Sequence, residues 1–100
     1  MSKAQKKLPY VIVRCTQAGV HAGELVSRKG QEVELRNARR VWYWTGAQSL
    51  SELAVYGSKS PATCKIAAQV LKHEVLDACE IIYTQPAGEK MLRESPEWRT

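Results

Sequence analysis

The stretch RNARRVWYWTG, from Arg36 to Gly46, places three arginines directly beside three aromatic residues. Alternate residues of an extended strand share a face, so one face is predicted to carry Arg40, Trp42 and Trp44. A guanidinium beside an indole offers a positive charge next to a stacking plane, and this combination suits phosphates and bases. This face is therefore a candidate binding site for an anionic ligand.

The opposite face of the same segment carries Arg39, Val41 and Tyr43, which favour a packing role. Each buried tryptophan or tyrosine removes about 150–250 Å² from water, and a chain without phenylalanine needs such residues in its core. A strand with buried aromatic residues and solvated arginines is thus an alternative interpretation of the whole stretch. A bulge at Asn37–Ala38 would exchange the two faces and swap Arg39 for Arg40.

Other basic residues could extend the binding face, among them Lys29. The full set of candidate ligand-binding residues is Arg14, Arg28, Arg39, Arg40, Trp42 and Trp44.

Signals for catalysis are missing from the sequence. It contains no nucleophile elbow, no phosphate loop and no HExxH motif. His73 and Glu74 adjoin, but neighbouring strand residues point to opposite faces. Cys15, Cys64 and Cys79 lack CxxC spacing, so we expect reduced thiols, no metal and no cofactor, with Cys64 in a predicted loop the most reactive. These patterns predict a protein that is not an enzyme.

The composition is that of one soluble domain. One hundred residues with 44% hydrophobic and 25% charged side chains exclude a disordered chain. The net charge of +5 favours nucleic acid, a nucleotide or an acidic protein as partner. No run approaches the roughly 20 apolar residues of a membrane span, so we expect a cytoplasmic protein. The predicted organisation is a flexible basic tail (1–8), a compact domain (9–95) and a C-terminal tail (96–100).

Alternating and β-branched segments predict strands at Pro9–Cys15 and His21–Arg28, from Glu32 to Trp44, and at Val75–Tyr83. A bend at Asn37–Ala38 would divide the third of these into two. Five residues of the third strand recur forty positions later, which indicates either similar local structure or chance. The pairs are Glu34 and Glu74, Asn37 and Asp77, Ala38 and Ala78, Val41 and Ile81, and Tyr43 and Tyr83.

Two helices are predicted. Ser49 and Glu52 have the Ser-x-x-Glu spacing of a capping box, and Gly57 would end a short helix of about two turns. Pro86 stands at the first position of a C-terminal helix. The predicted fold class is α+β: a small, strongly bent antiparallel sheet, or an SH3-like or Sm-like barrel, of about five strands with these two helices.

Most of the chain, roughly residues 10 to 84, resembles a family of small uncharacterised proteins of tailed bacteriophages. The resemblance lies in AGVHAGELVSRKGQEVELRNARRVWYWTGAQSLSELAVYG and in VLDACEIIYT, which follow an NARRxWYWxGAxSLxELA-type signature. It implies a phage accessory protein in the cytoplasm of a bacterial host. Small basic phage proteins without catalytic motifs often bind and block a target.

The function expected from these features is binding and sequestration of an anionic ligand, with a nucleotide-derived signal of bacterial immunity as the leading candidate. A homo-oligomer is expected, because a pocket between subunits can enclose a ligand that a small barrel cannot. Two alternatives stay open: a nucleic-acid-binding regulator, and a protein–protein inhibitor or virion component.

Overall fold

The computed structural model describes residues 7–99. Within that part, the chain forms one antiparallel sheet of six strands and two α-helices, in agreement with the predicted α+β class. The elements are β1 (Tyr10–Cys15), β2 (Val20–Lys29), β3 (Glu32–Tyr43), α1 (Leu50–Tyr56), a 3₁₀ turn (Pro61–Thr63), β4 (Lys65–Ile66), β5 (Val70–Val75), β6 (Ala78–Tyr83) and α2 (Pro86–Glu94).

The sheet is strongly bent, because the consecutive strands β5 and β6 pair with strands on opposite sides of it. The strands run in the order β4-β3-β2-β1-β6, and β5 pairs with the first half of β3. β5 therefore lies against β3 while β6, two residues later, lies against β1. A continuous chain thus connects opposite sides of the sheet.

The prediction of a single strand over Val75–Tyr83 was wrong. The chain breaks at Leu76 and Asp77, and the first of the two strands begins earlier, at Val70. Asp77 stabilises the corner, since its carboxylate accepts hydrogen bonds from the backbone N–H groups of Gln17 and Ala18. The forty-residue similarity has a partial structural counterpart, because Glu34 and Glu74 are direct partners in the β3–β5 register.

Each face of the sheet carries a buried cluster. One face, with Ile12, Ala22 and Val41, packs against Leu53 and Leu92 of the two helices. The other face is enclosed by the bend of the sheet itself, and the residues that fill it are Val11, Val13, Cys15, Val33, Leu35, Ala38, Val75 and Ala78. Two-sided burial lets so small a domain form enough core.

The short helix begins as predicted. Ser49 caps α1, with its hydroxyl accepting a hydrogen bond of 3.1 Å from the Glu52 N–H, while the Glu52 carboxylate accepts from the N–H of Gln48. α1 then packs closely on α2, where Gly88 approaches the backbone of Ala54. A Cβ on Gly88 would lie 2.0 Å from the Ala54 carbonyl oxygen, so glycine is needed at this contact.

A bulge in β3 decides which side chains enter the core. Asn37 has a φ of 52°, and the β2–β3 register shifts between Ala22 and Glu24. Gly23 lies opposite the bulge, and a Cβ there would come within 2.9 Å of the Ala38 Cα. One extra residue inverts the alternation relative to the start of β3. The exchange of Arg39 for Arg40 that the sequence left open nevertheless does not take place, since Arg39 is buried together with Val41 and Arg40 lies beside the exposed Trp42.

The bulge turns Arg39 into the core, and this corrects its assignment as a ligand-binding candidate. Arg39 is only 5% exposed. Its guanidinium donates to the carbonyl oxygens of Leu92 (2.9 Å) and Ser95 (2.7 Å) at the end of α2, and to that of Ala67 (2.8 Å) after β4. A cation suits the carbonyl-rich end of a helix. Because these donors are engaged inside the protein, Arg39 does not reach a ligand.

The two predicted tails have different outcomes. Residues 1–6 of the predicted N-terminal tail lie outside the described part of the chain. At the other end, Glu97 forms a bridge with Ile66, and the Trp98 N–H donates to the Ile66 carbonyl at 2.8 Å. The compact unit therefore continues past residue 95 to Trp98. No helix within residues 7–99 is long and apolar enough to cross a membrane.

Replacement of Arg39 by methionine is expected to lower the free energy of unfolding by about 3 kcal/mol. Methionine occupies similar space but leaves the carbonyl oxygens at the end of α2 buried and unpaired. Arg36→Met, on the exposed face of the same strand, should change stability by less than about 0.5 kcal/mol. Urea denaturation of both variants tests this, and equal stabilities would contradict the role of Arg39.

Candidate functional site

Five exposed or half-buried side chains form a surface of aromatic rings and cations at the end of β3. The Arg40 guanidinium lies over the Trp42 ring at 5.4 Å, and the Lys65 ammonium lies 5.7 Å from the Tyr43 ring and 5.4 Å from the Trp98 ring. The exposed fractions are 58% for Trp42, 50% for Tyr43 and 36% for Trp98. We call these five residues the aromatic–cation surface.

A second irregularity in β3 places Trp42 on this surface. Val41 pairs with Ile66 and Tyr43 with Lys65, so two steps along β3 correspond to one step along β4. Trp42 is the extra residue, and such a bulge redirects side chains. Val41, the residue before it, remains buried in the core. Trp42 and Tyr43 are therefore both exposed, although they are consecutive residues of one strand.

The C-terminal segment completes the surface. The hydrogen bond from Trp98 to the buried Ile66 holds the indole beside β4, and the Trp42 and Trp98 ring centres are 6.5 Å apart at 59°. Rings tilted in this way do not stack on each other, so each presents a face of its own. Sequence reasoning missed Trp98 and Lys65. Arg99 beside Trp98 repeats the combination of arginine and tryptophan seen in β3, and this pattern could have indicated Trp98. No local sequence pattern marks Lys65.

Of the residues predicted to share a face, Arg40 and Trp42 lie together and Trp44 does not. Trp44 follows the end of β3, where strand alternation no longer applies, and it packs half-buried against the core beneath the helices. Tyr43, which was expected to pack, is instead half exposed. The aromatic–cation surface therefore keeps two of the four candidates from the central stretch.

The remaining candidates lie elsewhere. Arg14 on β1 forms an ion pair of 2.8 Å with Glu80, which raises the pKa of the guanidinium and satisfies its charge locally. Arg28 lies seven residues along β2 from His21, the residue opposite Arg40, near the other end of that strand. Its side chain lines a groove of about 870 Å³ beside Leu25 and Tyr83. Lys29 is exposed at the same far end of the sheet.

Two histidines lie directly behind Arg40. His21 is fully buried and is the register partner of Arg40, and its ring lies 4.5 Å from that of His73. Burial lowers the pKa of His21 to about 4, and the nearby His73 adds to this effect. Burial and the charge of Arg40 likewise lower the pKa of His73. Both imidazoles are therefore neutral at pH 7.

The cysteines show no catalytic arrangement in residues 7–99. Burial raises the pKa of Cys15 to about 11, which keeps this thiol protonated. Cys64, expected to be the most reactive, is buried, while Cys79 is the exposed one. All three are free thiols, and within the described ranges no three histidine, cysteine or acidic side chains meet as a metal site.

His21 makes a testable contribution to the pH dependence of stability. The unfolded chain protonates His21 below about pH 6.5, while the folded protein keeps it neutral down to about pH 4. Unfolding takes up a proton in this window, so the free energy of unfolding falls as the pH drops, by about 1.4 kcal/mol per unit. Denaturation of the parent and of His21→Gln between pH 7 and 4.5 should show a steeper slope for the parent. Identical slopes would contradict the assignment.

Comparison with known proteins places most of this structure in one family. The family model for a domain of unknown function, DUF6948, matches residues 8–92. That span contains Arg40, Trp42, Tyr43 and Lys65 and stops before Trp98. No curated protein and no solved structure matches the chain. With 85 of its 100 residues matched, from 8 to 92, the chain belongs to the DUF6948 family, whose domain has no known function.

Proposed function

We propose that the protein binds, without catalysing a reaction, an anionic ligand of nucleotide type on the aromatic–cation surface. The observation that carries this proposal is the presence of Trp42, Tyr43 and Trp98, each exposed to water by a third or more and each within reach of a cation. Large apolar rings left in water are unfavourable unless a partner covers them. Bases can cover the rings while phosphates meet the cations.

The charges of this surface are available to a ligand. Among residues 7–99, neither Arg40 nor Lys65 forms an ion pair, whereas Arg14 and Arg93 are paired with glutamates. An unpaired cation beside a ring can attract a phosphate and can also stabilise a base that stacks on the ring. The net charge of +5 acts in the same direction at longer range.

The openness of the surface favours single-stranded nucleic acid over an isolated nucleotide. A pocket that sequesters a small nucleotide usually buries most of the ligand, and the rings here are open to solvent on one side. A strand can instead lie across several rings, with about 1–3 kcal/mol gained for each stacked base. Sequestration of a nucleotide-derived signal would require a second copy to cover these rings.

The biological setting that we propose rests on the resemblance to tailed-phage proteins. It is the cytoplasm of a bacterial host, where the protein would act as an accessory factor. Binding to single-stranded nucleic acid would suit a regulator, and capture of an immune signal would suit counter-defence. Both roles use the same aromatic–cation surface.

Fluorescence titration with oligonucleotides tests the proposal. Single-stranded oligonucleotides of about twelve nucleotides should quench the tryptophans, and Trp42→Ala should weaken binding about 5- to 150-fold through the loss of one stacking platform. Lys65→Ala should lower the slope of log affinity against log salt concentration by about 0.7, the value for one phosphate contact.

Matched controls come from exposed residues outside the aromatic–cation surface. Tyr56→Ala and Lys59→Ala remove an exposed aromatic residue and an exposed cation near α1 and should leave binding unchanged. Preferential saturable binding of mononucleotides or short nucleotide signals would point to sequestration instead. A parent protein that binds neither class would overturn the proposal.

A further inference from the structure

Three nitrogen-bearing side chains converge behind the aromatic–cation surface. His21 on β2 faces Arg40 on β3, and His73 on the adjacent β5 brings its ring to 4.5 Å from that of His21. Arg40 carries a positive charge that disfavours protonation of both imidazoles, so the cluster can hold further positive charge only when an anion joins it.

The hydrogen bonding of the cluster is incomplete. Within residues 7–99, the side chains of Arg40 and His73 form no hydrogen bond, although both residues are partly buried. His21 uses Nε2 with the Ala18 carbonyl oxygen at 2.9 Å, while its buried Nδ1 has no partner. A carbonyl only accepts, so Nε2 carries the proton and Nδ1 is free to take up another.

The surroundings do not satisfy the cluster either. From β1, Cys15 contributes a protonated thiol, and from the corner after β5 the carboxylate of Asp77 is engaged by two backbone N–H groups. Arg40 also touches Trp42, which connects the cluster to the stacking surface. Among the described residues, the cluster thus lacks an anionic partner.

We propose that Arg40 and His73, with His21 behind them, form a subsite for a phosphate monoester that binds together with a proton taken up on the imidazole pair. This inference rests on the proposed function and names the chemical group that the surface recognises. A monoester carries nearly two negative charges and so matches several cations better than a bridging phosphate does. It can be the phosphorylated end of a strand or the phosphate of a mononucleotide.

Proton uptake follows from linkage. A bound dianion favours the charged imidazole, so it raises the pKa values that burial lowers, and reciprocally a lower pH strengthens binding. The ligand alone behaves in the opposite way, because a phosphate monoester loses charge as the pH falls toward 6. Stronger binding at low pH must therefore come from the protein.

The test compares 5′-phosphorylated and 5′-hydroxyl oligothymidylates of equal length, together with thymidine monophosphate, at pH 6.0 and 8.0. We expect the 5′-phosphate to strengthen binding about tenfold or more at pH 6.0 and less at pH 8.0. His73→Gln should remove the pH dependence of this gain and leave the hydroxyl strand bound as before. Lys29→Gln, an exposed lysine at the far end of β2, should behave as the parent.

Imidazole NMR signals supply a readout independent of affinity. Thymidine monophosphate should raise the pKa of His73 in the parent, and Arg40→Gln should abolish that shift. Binding of strands with no advantage for the 5′-phosphate at either pH, and no histidine shift, would overturn the subsite while leaving the proposed function intact. Failure of every oligonucleotide to bind would instead overturn the proposed function.

The outer edge of β5 carries an independent feature. Within the described part of the chain β5 pairs only with β3, and its other edge bears the exposed Val70 and Leu71, the latter 75% exposed, with Leu76 just beyond. An apolar free edge is a template for strand pairing. Lys72 and Glu74 lie on one face of this strand and make only long contacts of 3.9–4.0 Å within their own chain.

We infer that two copies pair antiparallel through β5 about a two-fold axis at His73. This register sets Lys72 opposite Glu74 of the second copy twice and brings Val70 opposite Leu76 of the second copy. A register centred on Lys72 would instead oppose like charges. The self-complementary order of charges therefore selects a second copy as the occupant of this edge.

Sedimentation equilibrium at tens of micromolar tests the pairing through charge exchange. The parent should be a dimer, Lys72→Glu and Glu74→Lys should each be monomeric, and the double exchange should restore the dimer. These exposed positions leave the fold of the monomer unchanged. A monomeric parent, or single variants that still dimerise, would overturn the interface.

Discussion

The buried guanidinium of Arg39 is the contact on which the rest of the structure depends. It joins the end of α2, the chain after β4 and the segment at Ser95 through carbonyl oxygens that otherwise lack donors. Burial lowers the pKa of this group, yet the negative end of the helix and several acceptors compensate for desolvation. With α2 and β4 held in this way, the last residues of the domain can reach Ile66 and bring Trp98 beside Lys65.

Two bulges in β3 give neighbouring side chains opposite environments. The first, at Asn37, sends Arg39 toward the helices and Arg40 toward the enclosed side of the sheet near His21. The second, at Trp42, turns an indole outward while Val41 remains in the core. Bulges occur often beside binding sites because they redirect side chains without ending the sheet. One arginine thus supports the fold, while the next is free to meet a ligand.

The aromatic–cation surface and the histidine pair behind it join two physical effects. Open rings favour stacking, and the crowded nitrogen groups favour an anion together with a proton. β5 contributes to both the histidine pair and the free edge that we assign to a second copy. Ligand binding and assembly therefore depend on the same strand, which the corner at Asp77 positions.

Local patterns in the sequence determined most of the elements, because capping, alternation and turn residues act over a few positions. They predicted the strands before Tyr43, the cap at Ser49, the helix from Pro86 and the possibility of a bulge at Asn37–Ala38. The corner at Leu76–Asp77 was not predicted, because an apolar run has the same residue pattern whether the strand continues or bends. Only the tertiary structure decided which of Arg39 and Arg40 is buried, because a single extra residue inverts every side chain after it. It alone brought Lys65 and Trp98 to Trp42, since contacts between residues distant in sequence depend on packing that no local pattern encodes.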